Sequence, residues 1–128
     1  MIIGIGTDIV QIYRIEQLLA KYGEVFKSRI LSLSEIDLVS RLSPNKHAAF
    51  IAKRFAAKEA ISKALGSGIG QSLQFKNIKI FNDNLGKPFA TIHSTKIKDL
   101  GKFKIDLSIS DDYPIAIAFA VVSIASVS

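Results

Sequence analysis

The chain has 128 residues, 48% of them hydrophobic, which is enough for one domain with a real core and too few for two ordinary ones. Seventeen basic residues against eleven acidic ones give a formal charge of +6, so an anionic partner is expected: a nucleotide, nucleic acid, an acidic protein or an anionic membrane. With no cysteine, disulfides and thiolate metal sites are excluded.

The opening MIIGIGTDIV has no basic leader and reaches Asp8 almost at once, which argues against a secretory signal and for a cytoplasmic protein. Residues 2 to 6 read as a strand, followed by a turn that presents Asp8. From Val10 to about Tyr22, Ile12, Ile15, Leu18 and Leu19 recur at helical spacing, and Gly23 is a plausible stop. A short helix is expected from Ser34 to about Leu42, broken by Ser43 and Pro44. Residues 45 to 65 carry the longest helical pattern, with Phe50, Ala57, Ile61, Ala64 and Leu65 on one face and alanine between them. Gly66, Gly68 and Gly70 mark its end.

The remainder is β-rich: Ile78 to Phe81, a turn at Asn82 to Lys87, Phe89 to His93, then strands around Ile105 to Ile109 and Ile115 to Val122, joined by a turn at Asp111 to Pro114. The apolar tail from Ile115 to Val127 falls short of the ~20 residues a membrane helix requires, and its alternation fits a buried strand. Helices in the first half and antiparallel strands in the second define an α+β class, in a single domain spanning 1–128.

A few residues stand out chemically. Asp8 ends an apolar strand, where a carboxylate is costly unless it faces a cleft or a cation. On the long helix Glu59 and Lys63 are four apart, in the favourable order for a surface ion pair, and the same spacing would aim both at one ligand. Two carboxylates on different elements, Asp8 and Glu59, match how Mg²⁺ is held in phosphoryl-transfer enzymes, although spacing does not show that they meet. Arg54 is offset from this row but within reach of a neighbouring phosphate. The glycines follow a helix rather than open one, so they form no Walker loop and read as a cap and turn. Arg14 and Lys21 share a helix face that is either simply solvated or suited to an acidic partner, with Lys27 and Arg29 following. His47 and His93 lack metal-ligand spacing.

The stretches GIGTDIVQIYR (4 to 14) and RFAAKEAISKALG (54 to 66), with the later GKP and LSIS, closely resemble the holo-acyl-carrier-protein synthases, the small bacterial type of phosphopantetheinyl transferase. The match runs along nearly the whole chain. It implies the single-unit phosphopantetheinyl transferase fold, an antiparallel sheet packed against a long helix, and transfer of 4′-phosphopantetheine from coenzyme A to a serine of apo-acyl carrier protein in support of fatty-acid biosynthesis. Mg²⁺ is the implied cofactor, held by Asp8 and Glu59, with Lys63 on the phosphate chain and either Glu59 or a metal-bound water taking the serine proton. Arg54, Gly66, Gly68, Gly70, Lys87, Pro88, Ser108 and Ser110 fall on positions that line the coenzyme A site, and Arg14 and Lys21 on the helix that meets the acidic carrier protein. The small type is typically a homotrimer with sites at subunit interfaces.

Many members carry histidine where this chain has Asp111, so the resemblance implies an altered contact to the nucleotide part of coenzyme A. A basic nucleic-acid module would need aromatic residues interleaved with basic ones on a sheet face, whereas the phenylalanines here sit mostly in apolar runs; neither nucleic acid nor membrane is an expected partner. A catalytically inactive relative is the other alternative, against which Asp8, Glu59 and Lys63 stand together.

Overall fold

In a computed structural model, which describes residues 1–97 and 100–125, five strands and four α-helices alternate with three short 3₁₀ turns. Strand β1 (Ile2–Gln11) leads into α1 (Ile12–Tyr22), α2 (Glu24–Ile30) and α3 (Leu33–Ser40). The long α4 (His47–Leu65) follows, then β2 (Ile78–Asn82), β3 (Pro88–Ile92), β4 (Phe103–Asp112) and β5 (Ile115–Ile124). The strands form two antiparallel sheets, one ordered β1-β5-β4 and one a β2-β3 hairpin. The α+β class and the antiparallel sheet against a long helix are as the sequence predicts.

Helix α4 is buried on almost every side, because alanines let neighbours approach it closely: Ala52, Ala56, Ala57 and Ala60 are fully buried, as are Ile51 and Ile61. Strand β5 lies across it with Ala116, Ala118, Ala120 and Val122 facing inward. The tightest approach is made by β1. A Cβ at Gly4 would lie 1.8 Å from the Ala64 carbonyl oxygen, and one at Gly6 would lie 2.0 Å from that of Ala60. Only glycine fits between these backbones, so Gly4 and Gly6 set how close β1 comes to the helix.

Five expectations are corrected. Strand β1 does not end at residue 6; its ladder continues through Asp8, opposite Ala118, to Gln11, opposite Ile115. Asp8 is therefore inside a strand rather than in a turn, tolerated because its side chain meets a cation. Helix α1 begins at Ile12 rather than Val10, and α2 was not expected at all. The short helix begins after Ser32, which caps it reciprocally with Glu35. Asp111 pairs with Ala116 and Asp112 with Ile115 within the β4-β5 ladder, so the last turn is confined to Tyr113 and Pro114; Asp112 is exposed, and the Asp111 carboxylate meets the Lys53 ammonium. Positions 126 and 127 of the predicted apolar tail lie outside the described residues.

Candidate active site

The approach of β1 to α4 brings three predicted residues together. Asp8 shares the inward face of β1 with Gly6 and Val10, and its side chain keeps 16% exposure. Lys63, one turn beyond Glu59, reaches across so that its ammonium donates to Asp8 Oδ1 and to the Thr7 carbonyl oxygen, each at 3.0 Å. The Glu59–Lys63 ion pair that the spacing suggested is not formed; Lys63 pairs with Asp8 instead.

Glu59 completes the group. Partial burial pushes its carboxyl above the ordinary glutamate value, the Asp8 carboxylate pushes it further the same way, and Lys63 draws it back in part. Two carboxylates close enough to repel, against one lysine, leave a net negative site. That is the donor set a divalent cation with oxygen ligands requires, and Asp8 and Glu59 fit it, with ligand phosphates and water left to supply the other positions.

A second group forms on the other side of the helix. Arg54 lies five residues before Glu59, about 140° around the helix axis and roughly 8 Å along it at ideal geometry. Its guanidinium is largely buried, packs over the Phe50 ring at 4.6 Å, and donates from Nη2 to Asn82 Oδ1 at 3.3 Å. It lines a cavity of about 260 Å³ with Phe50, Lys53, Asn82, Pro88 and Asp111. Arg54, Pro88 and Asp111 are thus brought together as predicted site residues. Lys53 was missed by sequence reasoning, and it modifies the reading of Asp111, whose Oδ1 is 3.6 Å from Lys53 Nζ. The signal was its place beside Arg54, but a lysine in an alanine-rich helix looks solvated.

The other predicted positions do not line this cavity. Gly66 caps α4 in the left-handed conformation at φ 78°, its N–H donating to the Lys63 carbonyl, and lies beyond the Glu59 end of the helix. Gly68 follows it at φ 65°, while Gly70 borders another hollow beside Arg29 and Phe75. Lys87 is exposed, its ammonium 5.9 Å from the centre of the Phe89 ring. Ser108 and Ser110 point to the outer face of the three-stranded sheet, opposite Phe119 and Ile117, whereas Ile109 between them faces the cavity. That outer face is apolar: Ile5 is 62% exposed, Ile9 64% and Phe119 45%.

Arg14 and Lys21 are exposed on α1, seven residues and two turns apart, with Leu18 between them on the same face. Beside them opens an apolar groove of about 480 Å³ walled by Leu18, Val25, Phe26, Phe55, Phe75 and Arg29. His47 is held between the Leu42 carbonyl oxygen at 2.9 Å and Lys27 at 3.4 Å, and His93 lies 3.3 Å from Thr91 Oγ1.

The profile of the 4′-phosphopantetheinyl transferase superfamily matches residues 4–118, and the chain belongs to that family. Among its relatives, the holo-[acyl-carrier-protein] synthase of Orientia tsutsugamushi (strain Ikeda) is 52% identical over 128 residues, covering 96% of this chain and 98% of that one. The crystal structure of the Bacillus anthracis holo-(acyl-carrier-protein) synthase in complex with CoA (3′,5′-ADP) superposes with a TM-score of 0.85 at 38% identity, covering 98% and 99% of the two chains. That of the Helicobacter pylori synthase in complex with coenzyme A gives 0.81 at 41%, covering 93% and 99%. No helix among the described residues is long and apolar enough to cross a membrane.

Proposed function

We propose that this protein transfers 4′-phosphopantetheine from coenzyme A to the serine hydroxyl of apo-acyl carrier protein, forming holo-acyl carrier protein and adenosine 3′,5′-bisphosphate, in support of fatty-acid biosynthesis in the cytoplasm. The observation that carries it is the meeting of Asp8 with Lys63 and Glu59 across the β1–α4 contact, from positions more than fifty apart in sequence.

Asp8 and Glu59 are the residues that would hold Mg²⁺, which when bound neutralises the diphosphate oxygens. Lys63 places its ammonium beside the same carboxylates, where it balances charge gathering on the departing phosphate. Glu59 is the candidate base for the serine proton; in the metal-free protein, burial and the Asp8 carboxylate hold its carboxyl above the ordinary glutamate value. Arg54 and Lys53 offer cations to the phosphates of the nucleotide half, and Asp111 shares Lys53 and can accept from an amine or hydroxyl.

Because the Arg54 cavity and the Asp8–Glu59 pair open on different sides of α4, one coenzyme touches both most simply where two copies meet. The apolar outer sheet face around Ile5, Ile9 and Phe119 supports a homotrimer, with Ser108 and Ser110 brought to the same boundary. The acidic carrier protein would dock on α1 and α2, where Arg29 lines the apolar groove and Arg14 and Lys21 are exposed on α1 on the face that carries Leu18.

Mass spectrometry of apo-acyl carrier protein incubated with coenzyme A, Mg²⁺ and this protein tests the reading. A gain of roughly 340 Da, lost with Glu59→Gln, is expected from the chemistry of the transferred arm. No gain with folded protein would overturn the reading and favour an inactive binding protein.

A further inference from the structure

Glu35 belongs to α3 and lines neither the cavity nor the Asp8 cluster, yet both its oxygens are engaged. Oε1 accepts from the Ser32 N–H at 2.8 Å and from Lys58 Nζ at 2.6 Å, and Oε2 accepts from the Ile80 N–H at 2.9 Å. Arg54 Nε stands 3.5 Å from Oε2, an ion-pair separation without hydrogen-bond geometry, so that Nε is a buried donor with no acceptor. Glu35 and Lys58 are fully buried and Arg54 is 6% exposed.

A capping glutamate needs only the Ser32 contact, and capping boxes work on open surfaces. Burying this one with two α4 cations needs a further reason, since a buried ion pair adds little net stability over an apolar replacement. Lys58 has a second acceptor, the Ile30 carbonyl at 2.8 Å. Arg54 differs: its Nε side faces Glu35, its guanidinium carbon lies over the Phe50 ring, and its Nη2 edge faces Asn82 in the wall of the cavity. Burial lowers the proton affinity of the guanidinium, and the Glu35 charge opposes that loss.

We propose that Glu35 is a positioning residue for coenzyme A binding, fixing the Arg54 guanidinium in place and in orientation so that its outer edge meets a phosphate of the nucleotide half. This rests on the reading of the cavity as the coenzyme A site. A guanidinium already immobilised loses little further freedom on meeting its anion, which is where the affinity comes from. Glu35 acts through Arg54 and touches no substrate.

Calorimetric titration with coenzyme A, alongside transfer kinetics, tests it. Glu35→Gln keeps the shape and removes the charge, and is expected to weaken coenzyme A binding about tenfold, the loss of one charged contact, while KM for acyl carrier protein stays put. Arg54→Ala weakens binding too, and the double variant is expected to be no weaker than Arg54→Ala alone. Lys58→Met disturbs the same buried cluster and lowers Tm, but leaves coenzyme A affinity in place. If Glu35→Gln folds poorly, Glu35→Asp, which withdraws the charge by one methylene, is expected to show the same selective loss. Parental affinity in either Glu35 variant while Arg54→Ala is weakened overturns the proposal alone, as does an equal loss in Lys58→Met. Failure of the unmodified protein to bind coenzyme A overturns the cavity reading and the proposal with it.

Discussion

Replacing Gly6 by alanine probes the contact on which the candidate active-site cluster is built. The added Cβ would sit 2.0 Å from the Ala60 oxygen and 2.8 Å from the Ala64 nitrogen, and ordinary contact begins near 3.4 Å. The strand must therefore retreat by 3.4 − 2.0, about 1.4 Å, because both obstacles are helix backbone that cannot rotate aside. Overpacking of this kind costs about 3 kcal/mol, offset by about 1 kcal/mol from the stiffer unfolded chain. The net loss of about 2 kcal/mol lowers Tm by about 8 °C for a chain of this size. Asp8 is two residues along the same face, so its 3.0 Å contact with Lys63 opens by a similar distance. A misplacement of about 1 Å at the reacting centre costs about 10²-fold in rate. Circular dichroism melts and transfer assays run well below Tm separate the two effects. Gly101→Ala, where nothing lies within 4 Å, serves as control and is expected to change stability by less than about 0.5 kcal/mol. A Gly6→Ala protein with parental Tm and parental rate would refute the reasoning.

Glu59→Gln is expected to abolish transfer yet raise the Tm of the metal-free protein at neutral pH. The sign follows from the raised carboxyl: the folded chain holds this proton more tightly than the unfolded chain, so its contribution falls as pH rises through the folded value, and the amide escapes that loss. The advantage should fade on acidification into the normal glutamate range, and a pH-independent difference in Tm would count against the charge explanation. Mg²⁺ should raise Tm in the parent in proportion to the logarithm of its concentration, about 2.7 kcal/mol at a hundred times Kd, with no such rise in Glu59→Gln; chelation should reverse it. Asp111→His should alter coenzyme A affinity by releasing Lys53, without loss of transfer at saturating coenzyme A; unchanged affinity would show that Asp111 makes no contact that matters. Phe119→Asp, on the outer sheet face, should drive the assembly to monomers in sedimentation velocity while the monomer stays folded, and a persistent trimer would move the interface elsewhere.

What could be read in advance depended on whether the cause was local. Helix α4 announces itself because alanines and spaced isoleucines act within its own nineteen residues and a glycine closes it immediately after. Helix α2 did not, since seven residues beginning after a glycine at φ 53° carry little intrinsic helical tendency, and the burial of Phe26 and Ile30 under neighbouring elements is what holds them. The β1 ladder was cut short at Asp8 because a charge inside a strand looks like its end until the lysine that meets it is known.

The site divides along the same line. Asp8, Glu59 and Lys63 were nameable from chemistry and resemblance, but the bond between Asp8 and Lys63 is made possible by Gly4 and Gly6, whose sequence signal is only flexibility. Their real function is subtraction: two missing Cβ atoms lower β1 onto the Ala60 and Ala64 carbonyls. Glu35 is a parallel case. The spacing Ser32-x-x-Glu35 is a legible helix cap, and a cap on the surface would end there. Folding brings Lys58 and Arg54 of α4 and the Ile80 amide of β2 to the same carboxylate, so a residue whose local reason is complete acquires a second one from packing. In both places the geometry of the candidate site is set by residues that would do no chemistry themselves, on the two sides of a single helix.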